Sequence, residues 1–141
     1  MQAQLTYTGG DHGASWLAQT DSGHQIVLDG SPQIGGQNLG ARPMELVLLG
    51  LGSCSAMDVL EILRKGRKKI VACTIQLNAQ RADQVPKVFT KINLHYILEG
   101  EGLSEHQVAR AINLSRDKYC SVARMLIHTA EIETSFELIQ S

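Results

Sequence analysis

Three cysteines, Cys54, Cys73 and Cys120, are the residues of this chain best equipped for chemistry. A thiolate attacks electrophiles and binds metals, whereas a thiol packed among apolar neighbours is inert. Cys73 alternates with Val71, Ile75 and Leu77 in KIVACTIQLNAQ, the packed face of a strand, and nothing beside it would ionise it. Cys54 lies in the apolar stretch LGLGSCSAMD. Asp58 and Glu61 follow it one and two turns later, within ~40° of it around a helix axis. A carboxylate there disfavours a thiolate. Chemistry at Cys54 therefore needs a cation from elsewhere, such as an arginine held by Asp58 and Glu61. Cys120 precedes SVARML, the start of a helical piece, with Arg124 on the same face. Free backbone N–H groups and the helix dipole favour a thiolate at such a start. On residue types alone, Cys54 and Cys120 each keep two readings, a small buried hydrophobe or a reactive thiol.

Other chemistries find less support. The chain has no Cys-x-x-Cys pair and no two histidines at ligand spacing on one helix, so no metal is expected. His12, His24, His95, His106 and His128 could serve as bases, but each reads as a surface or packing residue. The formal net charge is -1. The one basic run, RKGRKK at 64–69, suits a solvated helix end, so nucleic acid is not an expected partner. Widely spaced cysteines make no disulfide framework. The first residues, MQAQ, lack the basic start and apolar stretch of a signal peptide. The longest apolar run, 46–57, falls short of the ~20 residues of a membrane span. A cytoplasmic protein with no membrane partner is expected.

The elements that must position these residues follow from patterning. QAQLTYT, SWLAQT and HQIVLDG, separated by turns at Gly9-Gly10 and Asp21-Ser22-Gly23, predict a three-stranded meander. A glycine-rich loop, 30–43, follows and is long enough to suspect a role. Pro43 suits the first position of a helix running through LEILRK to Gly66, a good terminator. Between Met44 and Met57 only Glu45 is charged, a pattern that predicts burial on all sides. Gly50 and Gly52 cost this helix about 1 kcal/mol each against alanine, which implies close packing there. Two strands follow, with Val71, Cys73, Ile75 and Leu77 on one face of the first. Val88, Ile92, Leu94, Tyr96 and Leu98 share a face of the second, and ADQVP is the turn between them. Ser104 and Gln107 form a capping box for a helix over LSEHQVARAINLSRDKY. CSVARMLIHTA is a further helical piece. EIETSFEL closes the chain as a strand with Ile132, Thr134, Phe136 and Leu138 on one side. The order βββ-α-ββ-α-α-β predicts a single α+β domain over 1–141.

The segment RPMELVLLGLGSCSAMDVLEILRKGR, then VPKVFTKINLHYILEG, then DKYCSVARML, resembles the OsmC/Ohr superfamily, the osmotically inducible protein C and organic hydroperoxide resistance proteins. The resemblance spans about residues 3–138. Met-Glu-Leu after the proline and Gly-Ser-Cys-Ser-Ala-Met-Asp resemble its YhfA-type branch. It implies an OsmC-like fold, antiparallel sheets around two long central helices in an intertwined homodimer. A helix at a dimer centre would be buried on all sides. The resemblance further implies a peroxidase of oxidative stress, in which Cys54 attacks the hydroperoxide and Cys120 resolves the sulfenic acid as a disulfide. It implies no bound cofactor, and an external dithiol reductant of lipoyl type. The superfamily's activating arginine follows a Gly-Gly turn, where this chain has Asp11 and His12. Its glutamate directly follows the proline, where this chain has Met44. Glu45 comes one residue later and points about opposite to Cys54 on an ideal helix. Arg42 and Arg124 are the candidate replacements for the cation and Asp58 for the carboxylate, with Glu45 a further supporting candidate. Two alternatives stay open. One is a non-enzymatic dimer that binds a small apolar ligand or senses redox state. The other is a thiol enzyme acting on a thioester or another electrophile.

Overall fold

The computed structural model describes residues 1–140. The chain divides into two compact units, Met1–Leu49 and Gly50–Ser141.

In the first unit, β1 (Ala3–Tyr7), β2 (Trp16–Thr20) and β3 (Gln25–Leu28) form the expected antiparallel meander in that order. Tyr7 and Trp16 pair directly across β1 and β2, with rings edge-on at 5.3 Å. The loop after β3 is organised by a buried carboxylate. Asp29 accepts N–H groups from Gly30, Gln37 and Leu39 at 2.8, 2.9 and 3.2 Å. These bonds, those from Gln37 and Leu39 foremost, hold its carboxyl below the usual aspartate value. Helix α1 (Pro43–Lys65) then begins with Pro43 as its first residue. The Arg42 N–H donates to Glu45 Oε1 at 2.9 Å, the reach-back half of a capping box.

In the second unit, α1 buries one stripe, Leu51, Gly52, Ser55, Val59 and Leu63. Within a single chain the helix is not buried on all sides. Met57 is 70% exposed, because one helix laid on one sheet covers only one of its faces. Of the two helix glycines, only Gly52 is a packing glycine. A Cβ there would lie 2.8 Å from Leu77 Cδ1, whereas one at Gly50 would meet nothing within 4 Å. α1 is long and apolar enough to cross a membrane by length and composition, although its contiguous apolar run is shorter. It ends after Lys65, but the left-handed residue is Arg67 (φ 60°) and not Gly66. Arg67 N–H to Arg64 and Lys68 N–H to Leu63 close the turn at 2.8 and 3.0 Å. The basic run lies at this solvated end, with Lys65 paired to Glu61 and Lys69 to Glu101.

The second sheet has the order β4 (Lys69–Arg81), β5 (Phe89–Glu101), β6 (Glu131–Gln140). β4 is antiparallel to β5. β6 is parallel to β5, so the expected antiparallel pairing holds everywhere except at this edge. The connection through two helices is long enough to return the chain in the parallel sense. Ile92, Leu94, Tyr96 and Leu98 are buried along β5 as expected. Val71 and Val88 are not, at 54% and 38% exposed. Register shifts between Ile70 and Ala72 and between Gln80 and Arg81 turn the chain there, and Phe89 is buried at the far end instead. Ser104 caps α2 (Glu105–Leu114), accepting the Gln107 N–H at 3.3 Å while donating its hydroxyl to Gln107 Oε1 at 3.0 Å. α2 does not continue as one α-helix to Tyr119. Ser115–Tyr119 is a π-helical turn, after which α3 (Ser121–Leu126) starts.

Candidate functional site

The buried stripe of α1 faces β5 and the end of α2, and the candidate chemistry collects there. Cys54 and Asp58 stand one turn apart on α1. The π-helical turn widens the end of α2 and delivers Cys120 as the N-cap of α3. Cys54 Sγ, an Asp58 carboxylate oxygen and Cys120 Sγ all lie within 4.8 Å of one another. All three cysteines of the chain are free thiols. Cys54 is half-buried and Cys120 fully buried, and their two sulfurs are neighbours in this cluster.

A line of hydroxyls supports this cluster from behind. Ser115 Oγ donates to Asp58 Oδ2 at 3.1 Å and lies 3.0 Å from Ser55 Oγ. Ser55 Oγ in turn meets the Tyr96 hydroxyl. A hydroxyl has one proton to give. With the carboxylate as final acceptor, the protons of the line point from Tyr96 through Ser55 and Ser115 to Asp58. Burial, foremost, pushes the Tyr96 phenol up to about 12, so it stays a donor.

Cys120 occupies a helix start, as the sequence predicts, and its Sγ accepts the Ala123 N–H at 3.4 Å. Its thiol is nevertheless raised, to about 11. Burial is the largest cause, the Ala123 N–H works against it, and neighbouring Cys54 adds to the rise. Desolvation outweighs the few N–H groups of a six-residue helix. Beyond Asp58 opens a cavity of about 540 Å³, whose lining includes Ile62, Arg110, Leu114 and Tyr119.

The remaining candidates have other partners. Glu61 pairs with Lys65 at 2.7 Å and holds no arginine. Arg124 is exposed and acts on Asp117, a smaller influence there than the Arg116 hydrogen bond. Arg42 and Glu45 have their partners in the first unit: they bond to each other, and the Arg42 charge helps hold Asp29 ionised. Among the described residues of the second unit no lysine, arginine or histidine side chain hydrogen-bonds or ion-pairs with Cys54, Asp58 or Cys120. Cys73 sits half-buried on its strand, its thiol raised by burial. His95 contacts Ser135 at 2.8 Å and His24 contacts Ser22 at 3.2 Å.

Ser55 and Ser115 carry no mark in the sequence reading, and Tyr96 is read there only as a residue of a strand face. A signal was present. Ser115 extends the buried stripe Val108, Ala111, Ile112 of α2, and Ser55 interrupts the apolar stripe of α1. A hydroxyl in an apolar stripe must find a partner when buried.

Comparison with known proteins agrees with this architecture. The family model described as OsmC-like protein matches residues 35–135. Protein YhfA of Escherichia coli (strain K12) is 42% identical over 139 residues, covering 99% of this chain and 98% of that protein. A crystal structure of a protein from Aquifex aeolicus VF5 superposes with a TM-score of 0.85 at 30% identity, over 99% of this chain and 96% of that one. The organic hydroperoxide resistance protein OhrB of Bacillus subtilis shares the fold at a TM-score of 0.64 and 15% identity, over 97% of this chain and 98% of that one. The chain belongs to the OsmC family.

Proposed function

We propose that this protein is a thiol-dependent hydroperoxide reductase in which Cys54 attacks and Cys120 resolves. The observation that carries the reading is the proximity of two free thiols, within 4.8 Å of each other, on one half-buried and one fully buried residue. The Cys54 proton passes to Asp58, directly or through one water, as the thiolate forms. The sulfur attacks one peroxide oxygen, the O–O bond breaks, and the alkoxide takes a proton to leave as the alcohol. Cys54 is then a sulfenic acid, which over-oxidises unless a second thiol captures it. Cys120 attacks that sulfur, a disulfide forms, and water leaves with the Cys120 proton. An external dithiol, of lipoyl type, returns both thiols and becomes a disulfide itself. The neighbouring cavity mixes charged Glu61, Lys65 and Arg110 with apolar Ile62, Leu114 and Tyr119, and this apolar part of its wall supports organic hydroperoxides as the substrate class. The name of the Bacillus subtilis protein that shares the fold points to the same substrate class.

The proposal includes a cytoplasmic homodimer of one OsmC-like domain per chain. Exposed apolar residues on the open side of α1, Met57 above all, support the dimer. A second reading, a redox-responsive protein without turnover, is favoured by the lack of a cationic partner at Cys54. Steady-state consumption of cumene hydroperoxide with dihydrolipoamide separates the two. The reductase reading expects turnover, slower with hydrogen peroxide and lost in Cys54→Ser. Thiols left intact by either peroxide contradict it.

A further inference from the structure

Cys54, Asp58 and Cys120 also meet the requirements of a metal site, which neither Cys-x-x-Cys nor histidine spacing would signal. Two ligands stand at i and i+4 on one face of α1, and a third arrives from the start of α3. Their donor atoms lie within 4.8 Å of one another. Donors of a tetrahedral zinc site stand ~3.7 Å apart, so closure asks for a contraction of about 1 Å. The Ser115 hydroxyl holds Asp58 Oδ2 at 3.1 Å and is itself backed by Ser55 and Tyr96. Hydrogen-bonded support of this kind orients a ligating carboxylate. Among the described residues of the second unit, no cationic side chain hydrogen-bonds or ion-pairs with the three groups. Lys65 and Arg110 line the same cavity as Asp58 but do not pair with it, and a divalent cation would supply a bonded positive charge.

We propose that the reduced protein binds a zinc-class divalent cation through Cys54, Asp58 and Cys120. Two sulfurs and one oxygen select a borderline-soft cation over magnesium or calcium, which prefer oxygen alone. Binding releases the two thiol protons and changes no oxidation state. Three protein ligands leave the fourth position to water. The disulfide and the metal compete for the same two sulfurs, so the cation protects the thiols and blocks peroxide reduction. The competition rests on the redox reading, whereas the binding of the cation does not depend on it.

The test uses the reduced protein and zinc alone, in competition with a chromophoric chelator, with cobalt as a spectroscopic substitute. One zinc per chain is expected, together with a thiolate-to-cobalt charge-transfer band. Cys54→Ser, Cys120→Ser and Asp58→Asn should each weaken zinc binding by more than the ~10–100-fold that loss of a supporting partner costs. Ser115→Ala should fall within that range, and Cys73→Ser should leave binding unchanged. Circular dichroism confirms that each variant is folded. Zinc binding without peroxide reactivity would support this inference and defeat the redox reading, and the converse would do the opposite. Absence of stoichiometric zinc binding overturns the inference, as does binding that persists unchanged in Asp58→Asn and in either cysteine variant.

Discussion

Asp29 accepts three backbone N–H groups inside a loop of the first unit, whereas Asp58 accepts one hydroxyl and faces two sulfurs in the second. Both carboxylates belong to one short chain, yet their surroundings fit them for different work. Fixed N–H donors satisfy Asp29 and organise the segment from Gly30 to Leu39, so its charge is committed to structure. Asp58 has acceptor capacity left over, a solvent cavity on one side and thiols on the other. A carboxylate with its partners filled is a brace, and one with a partner missing is placed for proton or cation chemistry.

The comparison breaks most visibly under substitution of the two aspartates. Asp58→Asn should slow peroxide-driven loss of Cys54 thiol by about 10²-fold or more, the scale of a lost general base. Asp29→Asn should leave that rate unchanged while lowering the melting temperature. Stopped-flow peroxide reactions and thermal melts on both variants read the two effects apart. Equal rates in both variants would remove the distinction.

Ser115→Ala tests the support behind Asp58. It strips the carboxylate of its donor and leaves the buried Ser55 hydroxyl short of a partner, a loss of about 1–3 kcal/mol. Urea unfolding measures it, and a loss near zero would mean that the hydroxyl line is not formed.

The pH dependence sharpens the brace side. The folded Asp29 carboxyl titrates below its unfolded value of 3.8, so the folded state binds fewer protons there. Its stabilisation is complete above the unfolded value and is lost as pH falls through the lower folded one. The stability difference between wild type and Asp29→Asn should therefore shrink over that acidic window. Melts at successive pH values check it, and a difference that widens on acidification would contradict the assignment.

The smallest effect contrasts satisfied with open space on one helix. Gly50→Ala should stabilise by up to ~1 kcal/mol through helix propensity. Gly52→Ala should gain less, because its Cβ must move Leu77 Cδ1 from 2.8 Å. Chemical denaturation of the pair gives the sign of the difference.

Local rules made much of this molecule legible in its sequence. The turns of the meander, Pro43 at the start of α1, and Ser104 with Gln107 at the start of α2 each depend on a few neighbouring residues. Where the outcome depends on distant partners, the pattern was silent or misleading. Arg67 takes the left-handed position that Gly66 suggests, because the whole end turn sets which residue closes it. Bulges at the ends of β4 and β5 turn Val71 and Val88 away from the expected face. The serine line joins residues 60 apart, and its only trace is a pair of hydroxyls within apolar stripes. Cys120 shows why motif logic misled at that point. A helix start favours a thiolate, but the burial that outweighs it appears only after packing.

The central claim is that Cys54 and Cys120 act as a pair, and peptide mapping of the oxidised protein tests it most directly. Fully reduced protein is treated with less than one equivalent of cumene hydroperoxide, its remaining thiols are blocked, and disulfide-linked peptides are identified by mass. The account predicts a Cys54–Cys120 disulfide within each chain, with Cys73 alkylated. A disulfide through Cys73, or three alkylated thiols after the peroxide treatment, would contradict it.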